Sequence, residues 1–187
     1  MRCIPTKLKD VVLMEPDIFR DSRGFFLEFF NAQKFAEMGV AAVFVQDNHS
    51  KSVQGTLRGL HAQLSHPQGK LVRVVQGEIL DVAVDARPDS PTFGQWEGHI
   101  LSGDNILQMY IPPGFLHGFY VQSPTAEVEY KCTDYYDPSD EIGVIWSDPS
   151  LKIQWPSRSP LLSQRDTMFP AFDGMKGRFE QYRGLLK

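Results

Sequence analysis

Two short stretches carry the residue types best suited to chemistry. Gly55 to Lys70 reads GTLRGLHAQLSHPQGK, and Ile111 to Phe119 reads IPPGFLHGF. Each sets one histidine, His61 or His117, in a run whose flanks read as short strands broken by Gly and Pro. An imidazole can ligate a metal or, because its unperturbed pKa of about 6.5 lies near neutral pH, carry protons. The residues around the two histidines decide which.

Their spacing resembles the two half-motifs of a cupin-type β-barrel. Gly55 stands six residues before His61, and Pro112-Pro113-Gly114-Phe115-Leu116-His117 fits Pro-x-Gly-x-x-His. In that pattern Gln63 occupies the place of a second histidine and Gln68 that of a glutamate. A divalent transition metal wants about three or four imidazole or carboxylate donors. Two imidazoles and two neutral amides do not supply them, so a pocket without a metal is expected.

The elements that must position these residues are short strands. Val11 to Met14 reads as one, followed by a turn at Asp21-Ser22-Arg23-Gly24, where Gly supplies the positive φ. Phe25 to Phe30, FFLEFF, reads as a strand with more aromatics than one buried face requires; they suit a two-sided core, a partner subunit or a flat ligand. Asn31 to Met38 has helical character, with Asn31 as N-cap and Gly39 as stop. Phe44 to Ser50 returns to strand. Leu71 to Gln76 and Glu78 to Asp85 flank Gly77 and read as a hairpin in a half-buried sheet, with Ile79, Asp81, Ala83 and Asp85 facing one way. Thr92 to Leu101, Ile106 to Ile111, Phe119 to Gln122 and Ala126 to Cys132 complete the set. Short strands separated by turn chemistry predict an all-β fold, a sandwich or barrel. Beyond Pro138 the pattern loosens. Leu161 to Asp166 predicts a helix start capped by Ser163, and the polar tail from Gly174 reads as a short helix, Arg178 to Leu185, or frayed chain.

A chain of 187 residues suits one domain, 1–187, with 166–187 as a helical or frayed appendage. The net charge of -4, with Lys and Arg scattered, argues against a nucleic-acid or polybasic membrane surface. Two cysteines, Cys3 and Cys132, are too few for a disulfide framework, and no apolar run has signal-peptide or spanning length. A soluble, cytoplasmic protein is expected.

Eight runs then name a family. Asp21-Ser22-Arg23-Gly24-Phe25-Phe26-Leu27-Glu28, Gln46-Asp47-Asn48-His49-Ser50, Leu57-Arg58-Gly59-Leu60-His61 and Gly69-Lys70-Leu71-Val72-Arg73 are four of them. Ser90-Pro91-Thr92-Phe93-Gly94, Ile111 to Phe119, Tyr130-Lys131 and Leu162-Ser163-Gln164-Arg165-Asp166 are the rest. Together, in order over about residues 4 to 170, they resemble the dTDP-4-dehydrorhamnose 3,5-epimerase family. The resemblance implies a cupin-type jelly-roll β-barrel with a few short helices, mainly near the C-terminus. It also implies a homodimer, no cofactor and a dTDP-linked 4-keto-6-deoxyhexose as substrate.

Inverting a carbon beside a ketone requires a base, an acid across the ring and a cation at the developing oxyanion. His61 suits the base. By resemblance, Asp166 is the carboxylate on its far nitrogen, Tyr130 the acid on the opposite face and Lys70 the cation. Taken singly, each has an ordinary structural use: a hydrogen-bonded core histidine, a strand aromatic, a solvated lysine and a first-turn acid. For the diphosphate, Arg23, Arg58 and Arg73 offer planar donors. The resemblance sends the segment from Arg23 to Glu28 into the neighbouring subunit's site, with Phe26 near the base. Gln46, Asn48 and Gln63 suit sugar, phosphate and base contacts, and His117 lines the pocket. Three other functions compete: inversion at only carbon 3 or carbon 5, a metal-dependent cupin enzyme, and a non-catalytic sugar-nucleotide-binding module.

Overall fold

The computed structural model describes residues 1–184, and thirteen strands dominate it. They are β1 (Arg2–Ile4), β2 (Val12–Glu15), β3 (Ile18–Asp21), β4 (Gly24–Leu27), β5 (Gln46–Val53), β6 (Leu57–Gln63) and β7 (Lys70–Gln76). The chain continues through β8 (Glu78–Asp85), β9 (Trp96–Ser102), β10 (Gln108–Ile111), β11 (Phe115–Val121), β12 (Thr125–Cys132) and β13 (Glu141–Gly143). Two helices accompany them, α1 (Ala32–Glu37) and α2 (Phe172–Phe179), the second running into a 3-10 turn, Glu180–Tyr182.

Six strands form one sheet, in the order β1-β2-β10-β7-β12-β5, and five form another, β13-β6-β11-β8-β9. All pairings are antiparallel. From β5 to β13 the chain changes sheet at every connection except β8 to β9. This corrects the hairpin expected around Gly77: β7 belongs to the six-stranded sheet and β8 to the five-stranded one. Gly77 makes the switch with φ at 81°, and a side chain there would place its Cβ 2.0 Å from the Thr125 carbonyl oxygen. Strands β9 and β10, and likewise β11 and β12, are divided between sheets in the same way.

The sheets face each other across a core of Leu13, Val72, Val74, Ile79, Ala83, Met109, Phe115, Phe119, Val121 and Val128. The alternation expected in β8 holds, with Ile79 and Ala83 turned into this core. Its other face is also covered, because Val82 and Val84, with the partly buried Leu80, join Phe172, Met175 and Phe179 of α2 in a second apolar cluster. That covering explains why β11 is buried at every residue. Gly174 and Gly177 cost α2 about 1 kcal/mol each relative to Ala. Burial of Phe172, Met175 and Phe179 outweighs that cost, since each apolar side chain taken from water stabilises by about 1.5–3 kcal/mol.

Helix α1 is capped as its sequence predicts: the Asn31 side chain accepts from the Gln33 and Lys34 amides. Phe35 of α1 joins Met14, Val40 and Leu71 in a cluster that includes Phe30 and Phe44 at its edge. The aromatic run expected as one strand divides instead. Strand β4 ends at Leu27 and pairs only with β3, leaving Phe25 56% and Phe26 70% exposed, whereas Phe30 turns inward.

The helix expected from Ser163 is not formed. Residues 164–167 make a single turn in which the Asp166 amide donates to Ser163 Oγ at 3.2 Å. The tail is ordered by α2 and its 3-10 turn rather than by a helix over Arg178 to Leu185, whose last residue lies outside the described residues. Among the described residues no helix is long and apolar enough to cross a membrane.

Candidate active site

A cavity of about 560 Å³ opens between the two sheets. Strands β5, β7 and β12 supply one wall, with Gln46, Asn48, Lys70 and Tyr130; β6 and β11 supply the other, with Arg58, His61, Gln63 and His117. Strict alternation would send Arg58 and His61 to opposite faces. The register between β6 and β11 slips by one residue between the pairs His117↔His61 and Phe119↔Arg58, and this bulge turns both into the cavity.

The Asp166 Oδ1 atom lies 2.5 Å from His61 Nε2, and Ser163 Oγ donates to Asp166 Oδ2 at 2.8 Å. Burial alone would raise the Asp166 pKa. The His61 contact, the Ser163 hydroxyl and the charge of Arg165 outweigh it and hold the carboxyl below its usual range. An anionic carboxylate on Nε2 makes that nitrogen the donor and leaves Nδ1 as the basic atom. Glu141 Oε1, at 3.7 Å, is too far from Nδ1 to hydrogen-bond it. The Phe169 ring sits edge-on to the imidazole at 5.5 Å and closes one side.

On the opposite wall, burial pushes the Tyr130 phenol up, with Cys132 and Glu141 adding to the effect, so the group stays protonated at neutral pH. Burial pushes the Lys70 ammonium down, only partly offset by Cys132, Glu141 and Asp81. The residue begins β7, and its partly exposed surface faces the cavity. An ammonium weakened in this way is a stronger proton donor to a nearby oxyanion.

His117 has a carboxylate of its own: Nε2 lies 2.7 Å from Asp81 Oδ1, both groups being buried. Gln63 Nε2 donates to the His66 and Tyr135 carbonyls, and its Oε1 accepts from the Asp137 amide at 2.6 Å. Gln68 Nε2 donates to the Asp134 carbonyl. Both amides at the cupin ligand positions are thus bound to backbone. Among the described residues no group of three or more His, Cys, Asp and Glu side chains is placed to hold a metal ion.

With this geometry goes a match over residues 5–174 to the family model described as dTDP-4-dehydrorhamnose 3,5-epimerase. The chain belongs to that family. It is 54% identical over 168 residues to the dTDP-4-dehydrorhamnose 3,5-epimerase of Shigella flexneri, covering 89% of this chain and 93% of that one. It also resembles the crystal structure of a dTDP-6-deoxy-D-glucose-3,5-epimerase from Legionella pneumophila in complex with dTDP-4-keto-L-rhamnose. There the TM-score is 0.92 at 48% identity, with 95% of this chain and 96% of that chain covered. A dTDP-4-dehydrorhamnose 3-epimerase of Streptomyces niveus is 40% identical over 168 residues, 89% of this chain and 81% of that one.

Four residues expected to meet substrate lie outside the cavity of their own chain. Arg23, Phe26 and Glu28 lie on or just beyond the exposed β3–β4 hairpin, where Arg23 pairs with Asp21 and Glu28 with Lys34. Arg73 donates twice to Glu129 Oε2, at 2.9 and 2.7 Å, and its guanidinium stands 4.0 Å over the Phe29 ring. It lines a separate cavity of about 190 Å³. Arg58 faces the epimerase cavity with Nε and Nη2 on Ser52 Oγ. Sequence reasoning passed over Tyr136, Glu141 and Arg165, which join at the cavity mouth: Tyr136 Oη donates to Glu141 Oε2 at 2.7 Å, and Arg165 pairs with the same carboxylate. Arg165 could have been found as the neighbour of Asp166. Glu141 and Tyr136 sit in the irregular stretch, where no periodicity marks them.

Proposed function

We propose that this protein epimerises dTDP-4-dehydro-6-deoxy-D-glucose at carbons 3 and 5 to dTDP-4-dehydro-L-rhamnose, a step of dTDP-rhamnose biosynthesis. One observation carries the chemical reading. A histidine backed by a buried carboxylate lines the same cavity as a phenol and a lysine supplied by the other sheet.

His61 Nδ1 takes the proton from the carbon beside the ketone, and the bond's electrons move onto the ketone oxygen. Lys70 meets that oxygen as it becomes an enolate, an interaction worth roughly 3 kcal/mol in an enclosed site. Tyr130 then gives its phenolic proton to the opposite face of the same carbon, and the electrons return from oxygen to re-form the ketone. Before the second carbon inverts, the imidazolium loses its proton and the phenolate regains one through solvent. No electron leaves the substrate at any step, so these residues need no redox partner. Arg58, with Gln46 and Asn48, binds the diphosphate and sugar; His117, held by Asp81, lines the keto-sugar pocket, and Gln63 contacts the ligand only by what its backbone bonds leave free.

The hairpin argues for a homodimer. It pairs with neither main sheet and exposes Phe19, Phe25 and Phe26, an apolar surface suited to a second copy of the chain. Seated there, Arg23, Phe26 and Glu28 serve the neighbour's nucleotide; Arg73 reaches the same ligand only if its pair with Glu129 opens. The whole chain acts as one folding unit. Cys3 and Cys132, both free thiols, suit a cytoplasmic setting.

Greater identity to a double epimerase than to a 3-epimerase favours inversion of both carbons. Incubating the 4-keto-6-deoxyglucose nucleotide with the enzyme in deuterated water tests it. Deuterium is expected at both carbons 3 and 5 of the product; label confined to one would make this a mono-epimerase.

A further inference from the structure

The mouth of the cavity depends on residues 134–140, which form no strand. This loop carries Tyr136 and is fastened to the end of β6 through Gln63, whose amide engages residues 66, 135 and 137. The Asp140 carboxylate also accepts from the Ser65 and His66 amides. Gln63 is therefore the junction of the two segments, two residues along the strand from His61.

A third segment reaches the same junction. Tyr182 Oη donates to the Gln63 backbone carbonyl oxygen at 2.6 Å, with the phenol 1% exposed and its ring stacked on Phe179. Tyr182 lies past residue 174, where the family match ends. Packing alone would be served equally by Phe, since a buried hydroxyl is costly unless it is bonded. The hydroxyl's role is therefore the bond itself. Further anchors hold the segment in place: the Phe172 amide donates to Asp148 Oδ2 at 2.8 Å, and Arg183 pairs with Asp89.

We propose that Tyr182 is a positioning residue for substrate binding: its hydroxyl fixes Gln63 and, through Gln63, the loop that presents Tyr136 to Glu141 at the cavity mouth. This rests on reading the cavity as the sugar-nucleotide site. The chemistry at His61 and Tyr130 does not pass through this junction, so affinity and turnover should separate.

The test compares Y182F with M175A, a variant that loosens the same helix without touching the bond. Y182F is expected to raise KM for the nucleotide sugar about fivefold, the consequence of losing one hydrogen bond of ordinary net strength, with kcat within about twofold. M175A is expected to lower Tm and leave KM unchanged. An unchanged KM in Y182F, or an equal rise in M175A, would overturn the proposal. Calorimetric titration with thymidine diphosphate separates this from the functional reading. If the wild-type protein binds the nucleotide without turning over the sugar, the proposed reaction fails, while weaker nucleotide binding in Y182F alone still supports the positioning role.

Discussion

The division of labour between His61 and Tyr130 can be separated residue by residue. His61→Ala should lower kcat by a hundredfold or more, because it removes the base, and His117, the other imidazole lining the cavity, is held on β11 by Asp81 rather than at the His61 position. Tyr130→Phe should behave differently: the base remains, so the substrate's own carbon-bound hydrogen should still exchange with deuterated water, while inverted product falls below a hundredth of the wild-type rate. Proton NMR of the recovered substrate reads that exchange, and its absence in Tyr130→Phe would remove the base-and-acid assignment. That His61 and Lys70 would line one cavity was legible in the sequence, because both lie in runs that resemble the epimerase family. The Asp81 partner of His117 was not, since β8 offers only an alternating pattern in which an inward acid looks like any other inward residue. The slip in register that brings Arg58 beside His61 was equally hidden, because a bulge leaves no mark in composition.

At the scale of elements, the β3–β4 hairpin makes the sharpest prediction. If it serves the neighbour's cavity, chains carrying Arg23→Ala and chains carrying His61→Ala should complement each other when mixed and allowed to exchange subunits. One site of each mixed dimer then has both residues intact. Activity rising above the sum of the separate variants is expected, and a purely additive result would return Arg23 to its own chain. The strands themselves were readable from their Gly and Pro punctuation. Their sheet membership was not, since a turn such as the one at Gly77 looks alike whether the next strand pairs with the last or crosses to the facing sheet. The C-terminal helix was expected too late, at Arg178 to Leu185 rather than Phe172–Phe179, although Phe172, Met175, Phe179 and Tyr182 recur at helical spacing; Gly174, Gly177 and the charged residues around them mask a signal that only tertiary packing redeems.

For the molecule as a whole, acid sensitivity follows from buried carboxylates. Burial would raise the pKa of Asp85, but Arg87, Ser90 and Thr92 outweigh it and leave the carboxyl below its ordinary value of 3.8. Asp148, bonded by Ser150 and the Phe172 amide, and Asp166 are lowered likewise. A depressed folded-state pKa contributes stability that is complete above the unfolded value and lost as pH falls through the folded one. Tm should therefore hold level near neutrality and drop steeply below about pH 4. Asp85→Asn should lower Tm at pH 7 and flatten that acid drop; a parallel curve displaced at every pH would assign its effect to packing alone.

The interleaved strand order has a consequence for where activity can be lost. His61 is borne by one sheet, Tyr130 and Lys70 by the other, so the gap a proton carrier must span is gauged by the stacking of the two layers. Val72, Phe115 and Phe119, packed in the core where the two layers meet, act as shims between them. Shaving one, as in Val72→Ala, would bring the layers closer or let them rock, and the enzyme would grow slow before it grew fragile.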